Sequence, residues 1–225
     1  MSKQSKRLVL VKYKNIRALI SNTPGKRTQV IACSNRDGCT TYKNCSDYCD
    51  VLITANEYIL GSRKSENVYE FLDEVVVGIG EYYVGENVLI KTIGLGSCVG
   101  VALFDAKKRI GGLAHVMLPG GSDNGKAKYA DVAIKKMLDE MEKIGANKSR
   151  IVAKLAGGAQ IFKHMTLDVL RIGERNIISV EENLRREGIE IMSRDTGGGI
   201  GRSVFFSTVD GSFLVRFSTG EEKWL

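Results

Sequence analysis

Residues 98–118 have the sequence CVGVALFDAKKRIGGLAHVML. Two apolar runs flank its charged segment, and this pattern predicts two strands joined as a β-hairpin. If the loop consists only of Ala106 and Lys107, Cys98 pairs directly with His115 on one face of the sheet, with Cβ atoms roughly 5 Å apart. Neither loop residue is the Gly or Asn that tight hairpin turns prefer, and a longer loop would change this register.

The rest of the chain predicts an α+β fold, a sheet-rich domain with largely antiparallel or mixed strands and flanking helices. Short apolar or β-branched runs predict strands at 75–79, 87–92, 98–105, 109–118, 150–156, 189–193, 203–207 and 212–217. Apolar residues at helical spacing predict one helix over 129–144, and a second is predicted at about 176–187.

The composition changes near residue 70. The polar stretch GSRKSE at 61–66 has the character of a linker. Residues 1–70 carry 12 Lys and Arg against 6 Asp and Glu, whereas the remainder carries 21 against 20. We therefore predict a basic, cysteine-rich N-terminal extension at 1–70 and the main domain at 71–225. No nucleic-acid recognition motif accompanies the basic charge, so no nucleic-acid partner is predicted.

The first apolar run, Leu8–Val11, is too short for a signal peptide or a membrane span. We therefore predict a cytoplasmic protein without membrane insertion. Thiols in that compartment are kept reduced, so five cysteines do not indicate a disulfide framework. Metal binding and thiolate chemistry are the remaining explanations.

Cys98 and His115 together provide the parts of a cysteine hydrolase. A thiolate is a strong nucleophile, and a neighbouring imidazole can take its proton. The run Gly94–Ser97 has little side-chain bulk, so backbone amides there could stabilise an oxyanion. The alternative is a buried cysteine that packs as a small hydrophobe beside a core histidine. The second histidine, His164, is predicted to be solvated.

The ordered motifs of the chain resemble the chemoreceptor glutamine deamidase family, CheD. They are TIGLGSC at 92–98, GGLAHVMLP at 111–119, KYAD at 128–131, KLAGGA at 154–159, IGERN at 172–176, DTGG at 195–198 and GRS at 201–203. The resemblance covers about residues 75–217. One departure is Gly199-Ile200, where a polar or aromatic pair is expected.

The resemblance implies hydrolysis of glutamine side-chain amides on the cytoplasmic helices of chemoreceptors, which gives glutamate and ammonia without a cofactor. It assigns Cys98 as nucleophile, His115 as general base and acid, and Thr92 as the residue that orients His115. It also implies a second partner, the CheC-type phosphatase of chemotaxis. It says nothing about residues 1–70.

The N-terminal cysteines form a separate cluster. Cys33, Cys39, Cys45 and Cys49 have the spacing C-x5-C-x5-C-x3-C, which fits a structural zinc site or an iron–sulfur cluster. Familiar zinc sites use C-x2-C pairs, so unligated thiols or redox disulfides are the alternatives.

Two rival functions remain open. One is a noncatalytic adaptor that binds the CheC-type phosphatase and senses metal or redox state through its N-terminal segment. The other is a cysteine protease that cleaves peptide bonds. A catalytic Cys98 is expected to have a lowered pKa, unlike a buried structural thiol.

Overall fold

The structure is a computed structural model that describes residues 7–13, 16–22, 29–33, 68–70, 73–121, 127–161 and 171–225. The chain divides into two compact units, Met1–Leu72 and Asp73–Leu225. Among the described residues, no helix has the length and apolar character needed to cross a membrane.

The described part of the first unit forms one antiparallel sheet in the order β3-β2-β1-β4. Its strands are β1 (Arg7–Tyr13), β2 (Ile16–Asn22), β3 (Gln29–Cys33) and β4 (Val68–Glu70). Val11 of β1 pairs with Ala18 of β2, and both are fully buried. None of these four strands was predicted from the sequence.

The second unit contains the remaining strands and two helices. The strands are β5 (Asp73–Val76), β6 (Tyr82–Glu86), β7 (Val88–Leu95), β8 (Val99–Asp105), β9 (Ile110–Val116), β10 (Ile151–Gly157), β11 (Glu190–Thr196), β12 (Arg202–Ser207), β13 (Phe213–Phe217) and β14 (Glu222–Trp224). The helices are α1 (Ala130–Lys143) and α2 (Ile172–Arg186), and a short 3₁₀ helix spans Lys148–Arg150.

These strands form two mixed sheets. The central sheet has the order β11-β10-β8-β9-β6, with β10 and β11 parallel and the other pairs antiparallel. The outer sheet has the order β14-β13-β12-β7-β5, with β5 and β7 parallel. The predicted sheet-rich α+β fold is confirmed.

The central sheet is covered on both faces. On one face, apolar side chains such as Val101 and Leu103 pack with Ile134 and Met137 of α1. On the other face, the inter-sheet cluster joins the central and outer sheets; it consists of Val77, Val88, Ile90, Leu95, Ala102, Phe104, Leu113, Ala156, Val204, Phe206, Phe213 and Val215. Burial on both faces explains the continuous apolar runs of β8 and β9.

The predicted hairpin register is wrong. Asp105 pairs with Ile110, so the loop contains four residues and His115 lies opposite Gly100 instead of Cys98. The Asp105 carboxylate accepts hydrogen bonds from the backbone N–H groups of Lys107 and Lys108, which is turn chemistry typical of aspartate. Arg109 closes the loop with a φ of 56°.

Helix α2 begins at Ile172, four residues before the predicted start. Glycine is a poor helix former, so Gly173 weakened the sequence signal. A Cβ atom at Gly173 would lie 2.6 Å from the carbonyl oxygen of Gly158, so only glycine allows the helix to approach that backbone. Tertiary packing therefore outweighs local propensity at this end of the helix. Strands β6 and β14 had not been predicted either.

Candidate active site

His115 and Thr92 meet between the two sheets of the second unit. Both side chains are fully buried, His115 on β9 and Thr92 on β7. Thr92 Oγ1 lies 2.7 Å from His115 Nδ1, and the Thr92 hydroxyl also donates to the backbone carbonyl of Val77 at 2.8 Å. The contact that the family resemblance implied is therefore present.

This pair of contacts assigns the histidine tautomer. A hydroxyl has one proton, and the Val77 carbonyl can only accept, so the Thr92 proton is directed to Val77. The Thr92 oxygen must then accept a hydrogen bond from His115 Nδ1–H. His115 Nε2 is left with its lone pair, and it is buried without a hydrogen-bond partner among the described residues. An imidazole in this state can act as a base.

The backbone of His115 is also fixed. Its N–H donates to the carbonyl of Glu81 at 3.0 Å, and its carbonyl accepts from the N–H of Gly80 at 3.0 Å. Gly80 has a φ of 74°, a conformation that favours glycine. The segment from Val77 to Glu81 thus positions both the ring and the backbone of His115. The sequence predicted a strand over 75–79, whereas the strand ends at Val76 and the following residues turn at Gly78 and Gly80, so their contact with His115 was not foreseen.

Cys98 lies directly before β8, is partly buried, and packs against the inter-sheet cluster. It precedes Gly100 by two residues, so it is placed on the same face as His115, as a diagonal neighbour. Such neighbours have Cα atoms about 7–8 Å apart and Cβ atoms somewhat closer. Gly100 leaves the position opposite His115 without a side chain. The structure therefore brings Cys98 to the same face of the inter-sheet space as His115 and Thr92.

The loop that carries Cys98 is fixed by the end of β10. The N–H of Gly158 donates to the Cys98 carbonyl at 2.7 Å, and the N–H of Ala159 donates to the Gly96 carbonyl at 2.7 Å. Gly157 has a φ of 115°, and a Cβ there would lie 2.3 Å from the Cys98 carbonyl oxygen. Gly157 of KLAGGA thus permits close packing against the Cys98 loop, whereas Gly158 leaves room for Ile177 and Gly173 of α2.

Burial favours the neutral form of both reacting groups. It raises the pKa of the Cys98 thiol, and a hydrogen bond from the residue's own backbone N–H offsets part of that rise. It also lowers the pKa of His115. Near neutral pH the resting pair is therefore a thiol and a neutral imidazole. This differs from the lowered cysteine pKa expected from the sequence, and the reason is desolvation.

An apolar groove of about 290 Å³ adjoins the Cys98 loop, and we call it the rim groove. It is lined by Ile93, Gly94, Leu95, Gly96, Ile161, Gly201, Arg202, Ser203, Arg216, Phe217 and Ser218. Ile93 and Ile161 are 59% and 52% exposed, although they are large aliphatic residues. Nearby in sequence, Ile200 of the departing Gly199-Ile200 pair is also exposed. Exposed apolar residues around a concavity are typical of a binding surface.

The cysteines of the predicted metal site belong to the first unit, Met1–Leu72. Cys33 ends β3 of the first unit. Cys39, Cys45 and Cys49 lie outside the described residues, as does His164. No group of three or more metal-ligating side chains occurs among the residues with described positions. The zinc or iron–sulfur site stays a prediction.

Comparison with known proteins extends these findings. A family model described as CheD chemotactic sensory transduction matches residues 117–217. A second, described as AF2210-like protein, matches residues 8–71.

Two curated relatives and one solved structure are similar to the chain. A probable chemoreceptor glutamine deamidase CheD 2 of Methanosarcina acetivorans is 49% identical over 86% of this chain and 84% of that protein. A probable chemoreceptor glutamine deamidase CheD of Archaeoglobus fulgidus is 56% identical over 68% of this chain and 98% of that protein. A crystal structure of Neisseria meningitidis protein NMB0706 is similar with a TM-score of 0.33 and 12% identity, over 85% of this chain and 86% of that one. That score is too low to carry an argument.

Proposed function

We propose that this chain, which belongs to the CheD family of chemoreceptor glutamine deamidases, converts glutamine side chains of chemoreceptors to glutamate. The reaction adds water to a carboxamide and releases ammonia. Cys98 is the nucleophile, His115 the general base and acid, and Thr92 the residue that orients His115. No added cofactor is needed for this chemistry.

The proposed steps use the Cys98 thiol and the His115 imidazole, which share one face of the central sheet and make no hydrogen bond with each other in the resting structure. The Cys98 thiol passes its proton to His115 Nε2 while Sγ attacks the carboxamide carbon, which gives a tetrahedral oxyanion. The imidazolium returns that proton to the departing amine, so ammonia leaves and a thioester remains. A water molecule then attacks the thioester with Nε2 as base. The glutamate is released, and the thiol regains its proton.

One observation carries the assignment of roles. Thr92 Oγ1 accepts from His115 Nδ1 because its own proton is directed to the Val77 carbonyl, and Nε2 keeps a lone pair with no competing partner among the described residues. A structural histidine in a core normally satisfies both ring nitrogens. An unpartnered basic nitrogen on the same face as a partly buried thiol supports the catalytic function. The raised pKa of the Cys98 thiol is shared by buried structural cysteines and does not favour catalysis over the adaptor.

The substrate reaches the site through the rim groove in this proposal. The groove adjoins the Cys98 loop and offers exposed aliphatic side chains, which suit the apolar residues of an amphipathic receptor helix. The relatives' names specify chemoreceptors. Because the modified helices of chemoreceptors are cytoplasmic in this family, we place the protein in the cytoplasm.

Two further proposals rest on the family resemblance and the sequence. The CheC-type phosphatase is the proposed second partner. A structural zinc ion or iron–sulfur cluster held by Cys33, Cys39, Cys45 and Cys49 is the proposed content of the N-terminal unit, and metal analysis of the purified full-length chain tests it.

The deamidase proposal is tested on a purified receptor cytoplasmic fragment. We expect an intact chain whose mass rises by about one dalton for each converted glutamine, together with one equivalent of ammonia. Cleaved fragments would instead establish the protease alternative. An unchanged fragment that nevertheless binds the protein would establish the adaptor alternative.

A further inference from the structure

Asn176 is fully buried in helix α2. Its side-chain Nδ2 donates to two backbone carbonyls, Ser97 O at 2.9 Å and Met117 O at 2.9 Å. Both carbonyls can only accept, so the NH₂ group must face them. Ser97 directly precedes Cys98, and Met117 follows His115 by two residues. One amide therefore ties together the backbones that carry the two reacting groups.

The hydrogen bond to Ser97 fixes the orientation of one peptide group. The Ser97 carbonyl and the Cys98 N–H belong to the same planar trans peptide, in which they point in opposite directions. Because Asn176 holds the carbonyl toward α2, the Cys98 N–H points away from the helix. That is the side of the Cys98 side chain, because Cys98 packs against the inter-sheet cluster whereas α2 packs on the opposite face of the central sheet.

The neighbouring peptide groups are fixed in the same way. The Gly96 carbonyl accepts from Ala159 N–H, and the Cys98 carbonyl accepts from Gly158 N–H. Three successive carbonyls of the loop are thus held by the scaffold of β10 and α2. The Cys98 N–H makes no backbone–backbone hydrogen bond of its own among those described, so it is available to a ligand at Sγ.

We propose that the backbone N–H of Cys98 is an oxyanion-stabilising donor, and that Asn176 is the positioning residue that aims it. This inference rests on the proposed deamidation. When Sγ attacks the carboxamide, the former carbonyl oxygen gains negative charge next to Sγ, where the Cys98 N–H is directed. A donor fixed before the reaction stabilises that charge without reorganisation. The Met117 contact ties the same amide to the segment that follows His115.

The rates of two reactions of Cys98 distinguish a positioning role of Asn176 from a purely structural one. Deamidation passes through an oxyanion, whereas alkylation by iodoacetamide displaces iodide at a saturated carbon and forms none. Asn176→Leu keeps the branched shape and loses both donated hydrogen bonds. We expect kcat to fall at least about tenfold, up to the roughly 10²-fold typical of a lost oxyanion donor. KM and the rate of Cys98 alkylation should not change.

Asn183→Leu is the matched control. Asn183 lies on the same helix, and in the part of the chain that the structure describes its Nδ2 donates to Ser179 of that helix. It should retain wild-type kcat. If Asn176→Leu does not fold, as judged by its thermal unfolding midpoint, Asn176→Ser replaces it and should show the same separation of kcat from alkylation.

Two outcomes overturn the inference. One is an unchanged kcat in the folded Asn176 variant. The other is a parallel loss of kcat and alkylation, which would mean that Asn176 only maintains the site's structure. Failure of the proposed function can be distinguished from failure of this inference. In that case the wild-type protein would leave the receptor fragment unconverted while Cys98 is still alkylated.

Discussion

Thr92 on the outer sheet and His115 on the central sheet are joined by a hydrogen bond of 2.7 Å between Oγ1 and Nδ1. The bond crosses the space between the two sheets, where both side chains are fully buried. Since Val77 takes the hydroxyl proton, the contact also determines which imidazole nitrogen is basic. The packing of one sheet on the other therefore sets the tautomer of the proposed base.

Replacement of Thr92 should test this relationship. Thr92→Val keeps the shape but leaves the Val77 carbonyl and His115 Nδ1–H without their partner. We expect kcat to fall on the order of 10²-fold, within the contribution of a positioned general base. We also expect a loss of about 1–3 kcal/mol in the free energy of unfolding for a buried polar group left unsatisfied.

Thr92→Ser is the control, because it retains the hydroxyl. It should keep most of the wild-type kcat. Equal activity of the valine and serine variants, measured by ammonia release and chemical denaturation, would exclude an orienting role for the hydroxyl.

The pH profile of kcat/KM follows from the shifted pKa values of His115 and Cys98. Burial lowers the pKa of His115 below its ordinary 6.5, so the imidazole stays neutral to lower pH. Burial raises the pKa of Cys98 above its ordinary 9.0, so the thiol keeps its proton through neutral pH. The rate should therefore fall only below pH 6.5 and remain level up to pH 9. A preformed thiolate–imidazolium pair would instead lose activity on the alkaline side as the imidazolium deprotonates, and such a loss between pH 7 and 9 would contradict our assignment.

Gly157 should be needed for activity as well as for stability. Gly157→Ala places a Cβ atom 2.3 Å from the Cys98 carbonyl oxygen at a φ of 115°, so the Cys98 loop must move. We expect a loss of about 1–3 kcal/mol from backbone strain, together with a large decrease in kcat. Gly145→Ala is the matched control, since Gly145 has a φ of 103° but no atom within 4 Å of the added Cβ. It should lose stability alone, and an equal loss of kcat in both variants would argue against a specific effect on the loop.

The rim groove should contribute to binding of the receptor without affecting the chemical step. Ile93→Ser removes an exposed aliphatic side chain from it. We expect KM for the receptor fragment to rise about tenfold or more with kcat unchanged, because burial of such a side chain is worth about 1.5–3 kcal/mol and about 1.4 kcal/mol corresponds to tenfold. Met192→Ser is the control, since Met192 is 62% exposed on β11 and does not line the groove. A similar KM in the two variants would place the receptor elsewhere.

Much of the fold was predictable because its signals are local. The β8 and β9 runs and the apolar repeat of α1 were found within one or two residues. The hairpin register was not, because it depends on how Asp105 bonds the turn and on a positive φ at Arg109. The early start of α2 depends on contact between Gly173 and Gly158, which no local pattern contains.

The site was predictable only in part, for a similar reason. The family motifs indicated Cys98, His115 and Thr92, whose roles remain predictions. Val77 and Glu81 act through backbone atoms, so their side chains carry no sequence signal. Asn176 stood within the motif IGERN, but its role depends on the meeting of α2 with two distant loops.

The central claim is that Cys98 converts receptor glutamine to glutamate. The most direct test is mass spectrometry of a receptor cytoplasmic fragment incubated with wild-type protein, Cys98→Ala or Cys33→Ala, with peptide mapping of the converted residues. We predict a gain of about one dalton per converted glutamine with the wild type and with Cys33→Ala, and no gain with Cys98→Ala. Conversion by Cys98→Ala at the wild-type rate would contradict the account.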